Sequence, residues 1–123
     1  MSFGSRILET RTAGASLASD YGLCMVFASA AMTRQASDGG IVHGICQSTP
    51  ASGEAGEVCT FGLCEAMAGD TITDGAKLKV EATTGRVVPY TGTSEHCIGT
   101  AREAGVDGQL IKIFFTGVGT TVS

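Results

Sequence analysis

The chain contains no tryptophan and only two prolines, and aromatic residues make up 6% of its 123 positions. A hydrophobic core must therefore be built from aliphatic side chains, alanine and cysteine, which the hydrophobic content of 43% supplies. No apolar run is long enough to span a bilayer. Continuous helical periodicity is also missing, so a helical bundle is not expected.

Basic residues are few: 8 Lys and Arg stand against 12 Asp and Glu, for a net charge of −4. A chain that is acidic and lacks a basic stripe is a poor binder of nucleic acids and anionic membranes, so we expect neither as a partner. The charge is uneven. Residues 1–34 carry three arginines and two acids, net +1, and the remainder carries five basic and ten acidic residues, net −5.

Sequence motifs for catalysis or cofactor binding are lacking. There is no Gly-rich phosphate loop that leads into a helix. His96 and Cys97 are adjacent, and neighbours on a strand point to opposite faces, which argues against a nucleophile and base pair. Cys59 and Cys64 form only one close pair, and their odd offset places them on opposite faces of a strand unless a bulge at Gly62 intervenes. With two distant histidines, they are weak evidence for a zinc site. We therefore expect no enzyme, no metal site and no cofactor.

The cysteines number five, and an odd count in a chain of this size does not indicate a disulfide framework. Most lie in apolar runs, which favours buried thiols kept reduced in a cytoplasm. We predict that all five are unpaired: Cys24, Cys46, Cys59, Cys64 and Cys97.

Glycine, in contrast, is abundant, with 18 residues, and its spacing repeats. Three glycines recur at a constant offset of 55: Gly44, Gly53 and Gly62 match Gly99, Gly108 and Gly117. The surrounding segments 41–62 and 96–117 align without a gap and share apolar positions. This pattern predicts a unit that occurs twice, each copy a short apolar strand, a Gly-rich polar loop and a second apolar strand, with the copies related by a pseudo-two-fold axis.

Short strands separated by turn residues account for most of the chain. Alternation and turn signals predict seven strands, at about 22–29, 41–46, 57–65, 77–81, 86–90, 97–101 and 109–115. A bulge is expected at Gly62, and Pro89 indicates an edge strand. The fold class is therefore all-β, a sandwich or small barrel formed by a single domain over residues 21–123. Residues 1–20 lack strand or helix periodicity and are predicted to form an extended N-terminal arm.

A series of short motifs follows in a fixed order between residues 39 and 116. These are Gly44-Ile45, Ala51-Ser52-Gly53-Glu54, Ala68-Gly69-Asp70-Thr71-Ile72, Gly85-Arg86-Val87, and the segment from Ala101 to Ile113. In order and spacing this series resembles the phage capsid decoration, or cement, proteins.

The resemblance implies a non-enzymatic virion protein with a compact, β-tulip-like domain. Such a protein is made in the host cytoplasm and sits on the outer surface of the phage head, where we expect a homotrimer that ties neighbouring major capsid protein subunits together. The N-terminal arm is predicted to make the capsid contact. In this hypothesis a strand around Ile7 and Leu8 adds to an exposed edge of a coat subunit. The candidate capsid-binding residues are Phe3, Arg6, Ile7, Leu8, Arg11 and Leu17.

Two other interpretations remain open at this point. Carrier domains of the lipoyl or biotinyl type are also all-β with Gly-Asp bends, but they need a lysine at a hairpin tip, and Lys77 and Lys79 lie within a predicted strand. An intact mass equal to that of the unmodified sequence would exclude this class. A thiol enzyme using His96 and Cys97 is the other, and it requires a cysteine that is alkylated in the folded state.

Overall fold

The computed structural model describes residues 6–37, 39–91 and 95–122, and these residues contain strands, turns and no helix. No helix in these ranges could therefore cross a membrane. The nine strands are β1 (Arg6–Ala13), β2 (Cys24–Ala28), β3 (Ala31–Arg34), β4 (Gly44–Cys46), β5 (Ala55–Met67), β6 (Lys77–Val80), β7 (Val87–Pro89), β8 (Glu95–Ala101) and β9 (Leu110–Val122). The all-β class is confirmed.

The strands form one sheet in the order β1-β3-β2-β4-β5-β9-β8-β6-β7, and β1 also pairs with β5. That extra pairing closes the first five strands into a ring. The other strands form a second ring with the end of β5, because an isolated parallel bridge between Ala68 and Val87 brings β7 back to that end. The 13-residue strand β5 therefore belongs to both rings.

The predicted internal repeat is visible in the strand registers. Ile45 lies opposite Cys59 in the pairing of β4 with β5, and Thr100 lies opposite Phe114 in the pairing of β8 with β9. Both members of the second pair follow from the first by the offset of 55. The hairpin predicted from glycine spacing thus occurs twice with the same register.

The repeat extends further than the sequence indicated. β1 pairs with the first half of β5, where Thr12 lies opposite Ala55, and the second half of β5 pairs with β9 in the same register, with Met67 opposite Leu110. β1 therefore corresponds to the second half of β5. Since β1 and β5 are antiparallel, the operation that relates the copies reverses strand direction, as a pseudo-two-fold rotation does.

Each copy is a five-stranded unit. The first unit comprises β1 to β4 and residues 55–60 of β5, and the second comprises residues 61–67 of β5, β6 to β8 and residues 110–115 of β9. The turn between β6 and β7 is two residues longer than the turn between β2 and β3, so β6 matches β2 at an offset of 53. Backbone hydrogen bonds from an N–H group to a carbonyl repeat in the same way. The bond from Gly14 to Met32 has its equivalent in the bond from Gly69 to Val87. Two further equivalent pairs are Leu17 to Pro50 with Ile72 to Gly105, and Gly22 to Cys46 with Gly75 to Ala101.

The N-terminal segment differs from the predicted separate arm. It is extended, but residues 6–13 form β1 within the first ring, and both Leu17 and Asp20 are buried. The backbone N–H of Leu17 donates to the carbonyl of Pro50 at 2.9 Å. The physical reason is the repeat itself, because this segment supplies the first strand and the following bend of a complete unit. From Arg6 onward, it is part of the β domain.

Several strand boundaries also differ. β3 was not predicted, because it has four residues and follows a tight turn at Ser29 and Ala30, both with positive φ. The expected bulge in β5 lies just before Gly62. Leu8 faces Cys59 while Ile7 faces Phe61, so Thr60 is the extra residue. Pro89 lies in β7 at the end of the strand order, as an edge strand requires.

The core is divided between the two units. The smaller cluster fills the first unit and contains Ala13, Leu17, Leu23, Met25, Met32, Cys46 and Val58. The larger cluster fills the second unit and also takes in four residues of the first, namely Cys24, Val42, Ile45 and Cys59. Aliphatic side chains and cysteines dominate both, as the composition predicts, and Phe115 is the only aromatic residue in either cluster of buried residues.

Candidate docking surface

β1 brings two of the predicted capsid-binding side chains to the surface. Ile7 is 59% exposed and Leu8 is 39% exposed. Arg6 is the first residue of β1 and pairs with Gly62. Phe3 lies outside the described residues. As neighbours on a strand, the two side chains point to opposite sides of β1, with Ile7 beside Phe61 and Leu8 beside Cys59. Together they leave apolar surface on both sides of β1, which makes this strand a candidate contact element.

The other two predicted residues have structural contacts. The guanidinium of Arg11 lies 4.0 Å from the ring centroid of Phe27, and its Nε donates to the carboxylate of Glu9 at 2.6 Å. Leu17 is 2% exposed and packs in the smaller core cluster, which fills the first unit. Leu17 therefore holds the segment in place and offers no surface for a partner.

The sequence analysis missed two surface residues on β5. Phe61 is 44% exposed and Leu63 is 38% exposed, and Phe61 lies directly opposite Ile7. The alternation of Phe61, Leu63 and Glu65 with buried Gly62 and Cys64 was the available signal, because a strand with one buried face presents every second residue outward. We define the β1–β5 patch as Ile7, Leu8, Phe61 and Leu63.

The patch continues onto β9 through an aromatic contact. The rings of Phe61 and Phe114 meet edge to face with centroids 5.4 Å apart, and the guanidinium of Arg102 lies 5.2 Å from the centroid of Phe114. Beyond Leu63, Glu65 and Lys112 lie opposite each other. An apolar centre flanked by charged residues is typical of protein interfaces.

A cavity of about 280 Å³ lies where the two units meet, and its walls include Arg34 and Arg86. Arg34 is bound by the buried carboxylate of Asp20 through two hydrogen bonds of 3.0 and 2.8 Å, which raise the pKa of the guanidinium. Arg86 donates to Asp107 at 2.9 Å. Each cation already has a carboxylate partner, so the cavity has no clear preference for an anionic ligand.

The residues of the two alternative interpretations do not assemble into sites. Nδ1 of His96 lies 3.1 Å from the carbonyl oxygen of Gly39, while Cys97 donates to the carbonyl of Gly99. Lys77 and Lys79 lie within β6 and not at a hairpin tip. Among the residues that the structure describes, no group of three or more His, Cys, Asp or Glu side chains could hold a metal ion.

None of the five cysteines forms a disulfide, as predicted. Cys24, Cys46, Cys59 and Cys64 are buried, and Cys97 is half-buried. Burial raises the pKa of the Cys24 thiol, and burial also raises the pKa of Cys46 despite a hydrogen bond to Ser48. Buried cysteines that a reagent cannot reach are poor nucleophiles, so these four behave as small core residues.

The chain as a whole is similar to known phage proteins. A family model described as phage cement protein matches residues 6–113, which span both units. Among solved structures, the fold is similar to the head fiber gp8.5 N base in bacteriophage phi29, with a TM-score of 0.67 and 18% identity, over 93% of this chain and 97% of that chain. A search of curated proteins found no relative. At this identity the structural likeness shows the fold alone.

Proposed function

The chain belongs to the phage cement protein family, and on that premise we propose that it decorates the outer surface of a phage head as a non-enzymatic homotrimer. In this role it binds the major capsid protein and stabilises the contacts between neighbouring coat subunits. The family match over residues 6–113 is the observation that carries the proposal. Family membership itself makes the chain a structural protein associated with a phage capsid.

The β1–β5 patch supports the proposal as the contact with the coat. Its four side chains are aliphatic or aromatic, and each is between 38% and 59% exposed. Burial of such a patch is the usual driving force for association. We propose that Ile7 and Leu8 make the central contacts, with Phe3 and Arg6 alongside them, and that Arg11 and Leu17 position the strand.

The pairing of β1 with β5 affects the energy of docking. A free arm of about ten residues would lose about 1–2 kcal/mol of backbone entropy for each residue ordered on the capsid. Residues 6–13 are already fixed by β5, so that cost is met when the protein folds. Three such patches on one trimer would act together, with a gain in avidity of about 10²–10⁴ if their spacing fits the coat lattice.

The direct test is co-sedimentation with phage heads assembled without this protein. We expect the full chain to sediment with heads, and the variant Leu8→Asp to lose most of the binding without a large change in melting temperature. Thr73→Asp, at an exposed turn of the second unit, is the matched control and should bind normally. Normal binding by Leu8→Asp and Ile7→Asp would show that the coat contact lies elsewhere.

A further inference from the structure

Apolar side chains lie at the surface of the second unit around the turn that leads into β9. Val106 is 57% exposed and Leu110 is 38% exposed, and the half-buried Met67 lies directly opposite Leu110. The backbone N–H of Gln109 donates to the carbonyl of Val106 at 3.0 Å, which closes the turn just before Leu110. We call Met67, Val106 and Leu110 the β9 patch.

The repeat provides an internal comparison for these positions. The offset of 55 carries the β9 patch onto small first-unit residues, which are Thr12, Ala51 and Ala55. All three are exposed, and Thr12 lies opposite Ala55 in the same register that pairs Met67 with Leu110. The same strand pairing therefore forms with small side chains. Formation of the strands does not explain why the β9 patch has large apolar ones.

The β9 patch is held in place by contacts between the two units. Met67 packs against the smaller core cluster, and the side chain of Leu110 lies beside Gly22 of the first unit. The backbone N–H of Met67 donates to the carbonyl of Gly22 at 2.9 Å. A surface that is already ordered in this way loses little conformational entropy when a partner binds to it.

The β9 patch and the β1–β5 patch share one face of β5. Leu63, Glu65 and Met67 alternate with buried residues, so their side chains point to the same side, and Leu63 and Met67 are about 13 Å apart along the strand. Between these two, Glu65 lies opposite Lys112 of β9, so that opposite charges adjoin. The hydroxyl of Tyr21 donates to the Glu65 carboxylate at 2.7 Å. The outer face of the second unit is therefore apolar at two places, with a polar strip between them.

The area of the β1–β5 patch is small for a stable contact. Its four side chains are between 38% and 59% exposed, so at about 150–250 Å² for a large side chain they offer about 300–450 Å² together. A stable interface buries about 800 Å² of each partner, of which the β1–β5 patch supplies about half. The β9 patch adds apolar area on the same face.

We propose that the β9 patch is a second point of contact with the major capsid protein. The coat surface that fits this outer face has two apolar sites about 13 Å apart. Between them it carries polar groups that hydrogen-bond to the Glu65 carboxylate and the Lys112 ammonium. The proposal rests on the coat binding proposed above, and it extends that contact from the β1–β5 patch along β5 and β9.

The test compares equivalent positions of the two units in full-length protein. Val106→Asp and Leu110→Asp place a carboxylate in the β9 patch, and Ala51→Asp and Ala55→Asp make the same charge change at the exposed first-unit equivalents. Co-sedimentation over a range of protein concentrations gives the affinity for phage heads assembled without this protein. We expect each β9-patch variant to bind about tenfold more weakly than the wild type, because a charge buried in an apolar contact loses its hydration. The two first-unit variants should bind like the wild type.

Melting temperatures separate docking from folding. If Leu110→Asp melts well below the wild type, Val106→Asp decides the test, because Val106 is the more exposed of the two side chains. Wild-type affinity for Val106→Asp, or equal losses in the first-unit and second-unit variants, would overturn the proposal while the proposed function stands. Failure of the wild type itself to bind heads would refute the proposed function and this contact with it.

Discussion

Leu17→Ala tests most sharply whether the N-terminal segment belongs to the body of the domain. The side chain is 2% exposed and belongs to the smaller core cluster, which fills the first unit. Truncation of a buried leucine to alanine costs about 2–5 kcal/mol. The total stability of a domain is about 5–15 kcal/mol, so this one change should remove a large share of it. The melting temperature should fall by on the order of 10 °C.

The assay is urea and thermal unfolding followed by circular dichroism, with Leu8→Ala as the matched control. Leu8 lies in the same segment but is 39% exposed, so its truncation should cost less than about 1 kcal/mol. The two variants should therefore separate stability from docking, because Leu8→Ala weakens binding to heads while leaving the fold intact. A loss of less than about 1 kcal/mol for Leu17→Ala would refute the assignment of this segment to the core.

Three further predictions concern backbone packing and the thiols. Gly99→Ala should destabilise the protein strongly, since a Cβ there would overlap the carbonyl of Phe114, whereas Gly53→Ala meets open space and should cost only about 1 kcal/mol for its positive φ; chemical denaturation compares the two. A thiol reagent should label Cys97 first in the native protein and five thiols after unfolding; rapid native labelling of Cys24 would contradict its burial. Stability should fall above about pH 8.5, because the unfolded chain ionises its thiols there while burial keeps Cys24 protonated, and unfolding midpoints between pH 7 and 10 measure this.

The glycine spacing was sufficient to predict half of the repeat. It placed the β4–β5 and β8–β9 hairpins in equivalent registers, because a gapless offset survives where both copies have loops of equal length. The match of Ala13 and Gly14 to Ala68 and Gly69 was present in the sequence as well. Two small residues are, however, weak evidence by themselves.

The rest of the first unit could not be read from the pattern for two physical reasons. The turn after β6 is two residues longer than the turn after β2, so the offset changes to 53 and a gapless comparison fails there. In addition, β1 carries Glu9 and Arg11 where the second unit has buried Cys64 and Ala66. These two charged residues are half-buried and pair with each other, so β1 lacks the apolar alternation of its equivalent.

The surface residues also include some that the sequence predicted and some that it did not. Ile7 and Leu8 were predicted as contact residues because aliphatic side chains in a polar segment need an explanation, and the structure exposes both. Phe61 joins them only through the pairing of β1 with β5, which brings together residues more than fifty positions apart. Long-range pairings of this kind depend on the closure of the ring and leave no local signal in the sequence.

The central claim is that this protein is a capsid cement, and a cryo-EM reconstruction of phage heads with and without it tests that claim most directly. The account predicts added density on the outer surface of the decorated heads, at three-fold and quasi-three-fold positions. Within this density, three copies of the protein should each face the major capsid protein with the β1–β5 patch. Decorated heads should also withstand heating or chemical denaturant that disrupts bare heads. Heads that show no added density after incubation with saturating protein would contradict it.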